Sequence, residues 1–334
     1  MTARSGIRRG KNIKVYGDIK LYAGSGNPQL AAKIADYLGL PLSERDILHF
    51  PNDNLMVRLG DSARGQDVYV IQSTGYPVHQ NLMELLILLQ TLRLDSAGRV
   101  TAVIPYLSYA RSDKKDQPRV PITARLVADM IEVAGADRYM TLDLHAGQIQ
   151  GFFSIPGDVL TAFHILNEHM REKRMHMHNP VVVTTDLGFA KRGRNVAEEL
   201  DVPLALIEKR RSMKTGVDTE ALNIVGSVED RDVILVDDEV DTAGSIEQAV
   251  EVLKANGANK IYLSFVHPVL SDPAAERLGR LDVEEIITTD TLPISAEKQK
   301  LIGKKLTILS VAPLLGEVIL RAHEGRSVGA MFNE

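Results

Sequence analysis

Short runs of β-branched and apolar residues alternate along this chain with longer stretches whose apolar residues recur at helical spacing, and that rhythm admits few folds. A strand that is apolar at nearly every position needs cover on both faces, and helices between successive strands supply the cover while making the strands parallel. In the first half, strands are expected at VYVIQ (68–72), VTAVIPY (100–106) and YMTLDL (139–144). Helices are expected at 28–38, 81–94 and 123–134, the first capped by Asn27 with Pro28 at its opening position. The second half repeats the pattern with VVVTT (181–185), VILVDD (233–238), IYLSFVH (261–267), EIITTD (285–290) and LTILSV (306–311), and with a helix at 245–255. Each half therefore has enough strands for a sheet of its own, and 334 residues is about the length of two domains. The boundary is expected just after Pro156, where GFFSIPGD breaks the regular pattern, and no long linker separates the halves.

Composition narrows the function. With 39 Lys and Arg against 44 Asp and Glu, the net charge of −5 lacks the basic excess of a nucleic-acid binder. The chain has no cysteine, which excludes disulfides, thiolate catalysis and cysteine-held zinc or iron–sulfur centres. Any metal must be held by histidine or carboxylates. The longest apolar stretch, 82–89, is interrupted by Glu84 and falls far short of the ~20 residues of a membrane-spanning helix. The first 17 residues are basic but have no apolar stretch of the secretory kind, so a cytoplasmic location is expected.

Four segments can carry chemistry. VDDEVDTAGS (236–245) follows an apolar strand and precedes a helix, which is where open α/β sheets bind ligands. Thr242, Ala243, Gly244 and Ser245 offer hydroxyls and backbone N–H groups at a helix start, a cradle for phosphate, while Asp237 and Asp238 suit a sugar diol or a hydrated Mg²⁺. The plainer alternative is that Asp241 and Ser245 only cap the helix. DLHAGQIQGFF (143–153), also at a strand end, presents His145 as a ligand to a metal or a structural imidazole, with Asp143 as an alternative ligand. TTDLGFAKRGR (184–194) places Asp186 at a third strand end, before what reads as a basic helix face. EKRRSMK (208–214) reads either as a solvated surface or as a mobile basic loop that closes on a polyphosphate. The same two readings apply to YARSDKKDQPR (109–119), where Arg111 is a candidate phosphate or nucleotide ligand. There is no GxxxxGK[ST] loop, and AGSGN (23–27) does not complete a dinucleotide fingerprint.

Together these segments resemble the ribose-phosphate pyrophosphokinases, or phosphoribosyl pyrophosphate synthetases. The similarity runs in register through GNPQLAAKIADYLG, RGQDVYVIQST, NLMELLILL, AVIPYLSYAR, PITARLVADM, AGADRYMTLDLHAGQIQGFF, VDDEVDTAGS and LSVAPLLGEVI. The resemblance implies an α/β fold of two phosphoribosyltransferase-like domains, each a mainly parallel sheet flanked by helices: residues 1–158, and 159–312 carrying the ribose 5-phosphate loop, with 313–334 returning to the first. It implies Mg²⁺-dependent transfer of the β,γ-diphosphoryl group of ATP to the anomeric hydroxyl of ribose 5-phosphate, giving phosphoribosyl pyrophosphate and AMP. Asp241, Thr242, Ala243, Gly244 and Ser245 would then hold the 5-phosphate, and Asp237 and Asp238 the ribose hydroxyls. His145 and Asp186 would sit at the metal, and Lys209 and Arg211 would stabilise the transferring group. Phe50, Asn52, Asn54, Arg111, Ser112 and Asp113 would contact ATP. The resemblance also implies a homo-oligomer, dimers assembled into a hexamer with the adenine pocket shared between copies, and no nucleic-acid or membrane partner.

The chain departs from the family pattern around the nucleotide. Where the family has Phe-x-Asp-Gly-Glu, this chain has Phe50, Pro51, Asn52, Asp53 and Asn54, so amides replace both carboxylates expected at the adenine amino group. The family's Arg-Gln-Asp appears as Arg111, Ser112 and Asp113, and its Asn-Asp before NLMELL as His79 and Gln80. Gly188 is followed by Phe189 in place of a second glycine, a ring that either crowds the polyphosphate or turns into the core. Pro118 replaces a loop serine that in many members helps bind an allosteric phosphate, so weak phosphate activation and weak ADP inhibition there are expected. Two other functions compete: a catalytically silent regulatory subunit of a synthetase, and a synthetase with an altered nucleotide donor. A phosphoribosyltransferase is disfavoured, because that class has a single such domain and lacks DLHAGQIQGFF.

Overall fold

The computed structural model describes residues 16–212 and 219–331, with side chains outside 209–222. The first half forms β1 (Ile19–Ala23), α1 (Pro28–Leu38), β2 (Arg45–His49), β3 (Leu55–Leu59), β4 (Asp67–Ile71), α2 (Val78–Leu94), β5 (Arg99–Ile104), α3 (Thr123–Val133), β6 (Arg138–Leu142) and β7 (Gly157–Leu160). A five-stranded sheet in the order β1-β4-β5-β6-β7 is parallel throughout, and β2 and β3 pair as a separate antiparallel hairpin. The strand β7 spans residue 158, where the domain boundary is expected.

The second half contributes α4 (Phe163–Arg174), β8 (Val181–Thr184), α5 (Ala190–Leu200), β9 (Leu204–Ser212), β10 (Thr219–Val225), β11 (Val233–Val240), α6 (Gly244–Ala255), β12 (Ile261–Pro268), α7 (Ala274–Arg280), β13 (Glu285–Thr289), α8 (Ala296–Ile302), β14 (Leu306–Leu309) and α9 (Ala312–Glu324). Its seven-stranded sheet runs β10-β9-β8-β11-β12-β13-β14, parallel except for the antiparallel β9–β10 pair. That pair corrects one expectation: Glu208 to Ser212 are strand, not loop, because Ala205 and Ile207 alternate inward and the ladder to β10 continues through the charged residues. Residues 213–218 lie outside the described residues.

The molecule has three apolar layers, and the middle one joins the halves. Leu85, Leu88 and Leu92 of α2 and Val127 and Ile131 of α3 cover the outer face of the first sheet. Ile246, Val250 and Leu253 of α6 and Leu278 of α7 cover that of the second. The middle core is shared: Leu21, Tyr69 and Met140 of the first sheet and Val182, Ile234 and Ile287 of the second meet Ile34 of α1, Leu166 of α4 and Leu315 and Ile319 of α9. Asn27 caps α1 by accepting from the Leu30 N–H at 3.2 Å, and its amide also donates to Asp290 O at 2.8 Å, tying the halves.

The last helix lies on α1, and its carboxyl end is held by ionic contacts with the first sheet. Arg99 makes two 2.7 Å bonds to the fully buried Asp67 and a third, of 3.1 Å, to Ala322 O. His323 Nδ1 meets the same carboxylate at 2.7 Å.

Candidate active site

The carboxyl ends of β6, β8 and β11 face one cleft of about 1220 Å³. One wall is the end of β11, where the apolar run Val233 to Val236 gives way to Asp237, Asp238 and Glu239. Two of these carboxylates are buried and Asp237 is half-buried, which demands partners, and each has one. Thr185 donates to Asp237 Oδ2 at 2.7 Å, His145 Nδ1 lies 2.8 Å from Asp238 Oδ2, and Arg111 forms an ion pair with Glu239. Two of these partners, His145 and Arg111, come from the first half of the chain, so the cleft is closed by side chains that belong to both sheets.

The electrostatics follow. Burial pushes Asp238 upward, but the bond and charge of His145, with Asp237 and Arg192 behind them, outweigh it and hold the carboxyl below its usual range. The same bond raises His145, so the pair favours imidazolium and carboxylate. Asp237 is driven well up by burial and by the charge of Asp238 beside it. Burial also raises Glu239, against the pull of Arg111.

The floor is the turn from β11 into α6. Ala243 sits at φ 62°, a left-handed conformation that lets the backbone reverse so that Gly244 and Ser245 open the helix with their N–H groups toward the cleft end. Arg277 donates to Thr242 O at 2.9 Å and braces the turn from α7. One oxygen of Asp241, Oδ1, is buried without a hydrogen-bond partner. Asp241, Thr242, Ala243, Gly244 and Ser245 all line the cleft, as do His145, Asp186, Asp237, Asp238, Arg111 and Asp113. Asp186 accepts from the Phe189 N–H at 2.9 Å, and the Phe189 ring is buried against Phe163 at 5.7 Å, packed into the middle core while also lining the cleft.

Phe50, Asn52, Asn54 and Ser112, also singled out from the sequence, do not line the cleft. Phe50, Asn52 and Asn54 occupy the tip of the β2–β3 hairpin, where Phe50 N–H donates to Asn54 O at 2.8 Å, and none of them lines the cleft. Phe50 is 45% exposed. Ser112 turns its hydroxyl to the N-terminus of α3, accepting from Thr123 N–H at 3.2 Å. The backbones of Lys209 and Arg211 belong to β9, opposite Leu222 and Glu220, and their side chains lie outside the described residues. Two cleft groups escaped the sequence reading. Arg192 of α5 donates to Leu144 O and lies 3.9 Å from Asp238, and Glu239 pairs with Arg111. Arg192 is hidden in a run that reads as a solvated basic face.

The family model for the N-terminal domain of ribose phosphate pyrophosphokinase matches residues 19–135, and that for the phosphoribosyl synthetase-associated domain matches 212–333. The chain is 48% identical over 314 residues to the ribose-phosphate pyrophosphokinase of Caldanaerobacter subterraneus subsp. tengcongensis, covering 94% of this chain and 98% of that one. It is 44% identical over 313 residues to that of Campylobacter jejuni, with the same two coverages. Among solved structures it is similar to the phosphoribosylpyrophosphate synthetase from Mycobacterium smegmatis, with a TM-score of 0.87 and 40% identity over 92% of this chain and 100% of that one.

Proposed function

Because the chain belongs to the ribose-phosphate pyrophosphokinase family, we propose that its cleft transfers the β,γ-diphosphoryl group of ATP to the anomeric hydroxyl of ribose 5-phosphate, forming phosphoribosyl pyrophosphate and AMP. The observation that carries this is the convergence, in one cleft, of an anion-cradling turn, a wall of carboxylates and basic groups from the other sheet. The turn from Asp241 to Ser245 holds the 5-phosphate through backbone N–H groups and hydroxyls. Asp237 and Asp238 accept from the ribose hydroxyls, and His145 keeps Asp238 ionised for that task. The anomeric hydroxyl oxygen attacks the β-phosphorus of ATP and its proton is released to solvent, while the bond from the β-phosphorus to the α,β-bridging oxygen breaks and leaves that oxygen on AMP. Catalysis therefore rests on alignment and charge neutralisation. Lys209 and Arg211 neutralise the transferring group, and Arg111 and Asp113 contact the nucleotide.

Asp186, and His145 once its ring has given up its extra proton, are the groups proposed to stand at Mg²⁺, directly or through water. Among the described residues no three His, Asp or Glu side chains form a metal cage. The sparse donor set suits an ion that keeps several waters and is held largely by substrate phosphates. Bound there with the nucleotide, Mg²⁺ supplies charge neutralisation at the phosphate oxygens.

The hairpin tip lies apart from the cleft, which supports a base pocket completed between copies, with Phe50, Asn52 and Asn54 of one chain serving the cleft of another in a dimer-based assembly up to a hexamer. The two units are taken as 1–158 and 159–312, with 313–334 joined to the first, in a cytoplasmic enzyme. None of the observations favours a silent regulatory subunit. Incubating the protein with ribose 5-phosphate, Mg²⁺ and ATP, GTP or CTP tests the reading by chromatography of the nucleotides. AMP formed only with ribose 5-phosphate, and abolished by a chelator, is the expected result. Ribose 5-phosphate binding without consumption of any nucleotide would overturn it in favour of a non-catalytic partner.

A further inference from the structure

We propose that His267 is a positioning residue: its ring, buried between the two sheets, fixes the backbone at Leu142 and Asp143 so that the next turn delivers His145 to Asp238. This rests on the cleft being the site of diphosphoryl transfer. His267, the last residue but one of β12, pairs with Glu239 of β11 and is only 3% exposed. Its Nε2 lies 3.2 Å from Leu142 O and 3.4 Å from Asp143 O, at the carboxyl end of β6 in the other sheet. Carbonyl oxygens only accept, so Nε2 carries the proton, and Nδ1 accepts from the Thr291 hydroxyl at 3.0 Å. Burial drives the imidazole pKa down to about 4, which keeps that donor–acceptor pattern intact at neutral pH. The ring of Tyr106 meets it edge-on at 5.2 Å.

His267 adds a tie to an irregular stretch of backbone. Asp143 has φ 38°, a conformation uncommon for L-residues other than Asn and Asp, and its N–H is already bonded to Leu160 O at 2.9 Å. Its carboxylate is tied on the other side by Thr161 Oγ1 at 2.8 Å and Ala162 N–H at 2.7 Å. Arg192 takes the next carbonyl, that of Leu144. Three successive carbonyls are thus gripped from the second half, and His145 follows immediately, 2.8 Å from Asp238. The same sheet therefore supplies both the carboxylate that His145 meets and, one strand over, the donor that sets where His145 stands. His267 does not line the cleft and acts through the backbone alone.

Steady-state kinetics of His267→Phe and His267→Gln, with thermal unfolding of each, test this. The phenylalanine keeps a ring and loses all three contacts, and the glutamine amide restores a donor toward the carbonyls. His267→Phe should lower kcat on the order of 10- to 100-fold with the KM for ribose 5-phosphate little changed, and His267→Gln should recover most of that loss. A folded His267→Phe protein with wild-type kcat overturns the proposal. So does a glutamine variant as slow as the phenylalanine one, or a loss shared by kcat, KM and Tm alike. If His267→Phe does not fold, Thr291→Val unties Nδ1 while leaving the ring. A smaller fall in its kcat at constant KM supports the proposal, and an unchanged kcat overturns it. A His145→Ala variant separates the two readings: normal turnover there faults the assignment of the cleft, whereas a slow His145→Ala beside a fast His267→Phe faults only the role of His267.

Discussion

His145 and Asp238 meet across the boundary between two sheets, and the charges each induces on the other make the contact worth more than its single hydrogen bond. Lys209 is expected to act at the other end of the reaction, on the transferring phosphates. Lys209→Ala should therefore lower kcat by about 100- to 1000-fold, the scale for losing one preorganised charge donor, while ribose 5-phosphate affinity by calorimetry stays near wild type. A second expectation follows from the depressed pKa of His267, about 4 in the fold against an ordinary value of 6.5. Between those values the unfolded chain binds a proton that the folded chain refuses, so stability contributed by neutral His267 is full above pH 6.5 and is lost as pH falls toward 4. His267→Gln has no such group. Its Tm deficit relative to wild type should shrink by a few degrees between pH 7.5 and pH 5. Asp143, raised to about 6 by burial, changes stability in the opposite direction but is present in both proteins. At this scale the sequence exposed the acids of β11, because carboxylates at the end of an apolar run have few structural uses. It did not expose Arg192, since one arginine among AKRGR carries no mark of which face it takes.

Elements were legible where one period dominated. The run VVVT and the fully apolar start of β11 could only be buried strands, and Asn27-Pro28 marked the start of α1. The β2–β3 hairpin left no such trace, because RDILH and LMVRL are short and largely exposed, and their register is set by partners on the neighbouring strand. The charged end of β9 was hidden for a related reason: antiparallel pairing to β10 extends the strand past the point where its own composition argues for it. The turn between β1 and α1 has a constraint of another kind. A Cβ at Gly26 would lie 2.1 Å from Ser73 O, in a segment where the Ser73 hydroxyl is already bonded to Thr291 O at 2.6 Å and the Thr74 N–H to Tyr106 O at 3.0 Å. Neither side has room to yield. Gly26→Ala should cost about 1–3 kcal/mol in denaturant unfolding, whereas Gly39→Ala, with no atom near the added carbon, should show only the smaller penalty of its φ of 64°.

The whole molecule is organised around a shared middle core, and sequence periodicity alone did not predict that sharing, since each half supplies strands enough for a self-contained sheet. One ionic fastening lies at Asp67, which is fully buried and serves Arg99, Tyr69 and His323 together. Asp67→Ala would strand the Arg99 guanidinium, itself only 11% exposed, and should destabilise the protein by about 3–5 kcal/mol. Hydrogen exchange should then show the amides of α9 losing protection ahead of those of β4 and β5. The placement of α9 also bears on how the chain matures during synthesis. Its apolar face completes the layer over β1 and β4, yet it is translated after every strand of the second sheet. While the ribosome is still making β8 to β14, the first sheet stands with part of one face uncovered, and it stays so until α9 leaves the exit tunnel. The order of translation thus makes the earliest-made unit one of the last to be sealed, and a nascent chain stalled late in elongation would present that apolar face to chaperones.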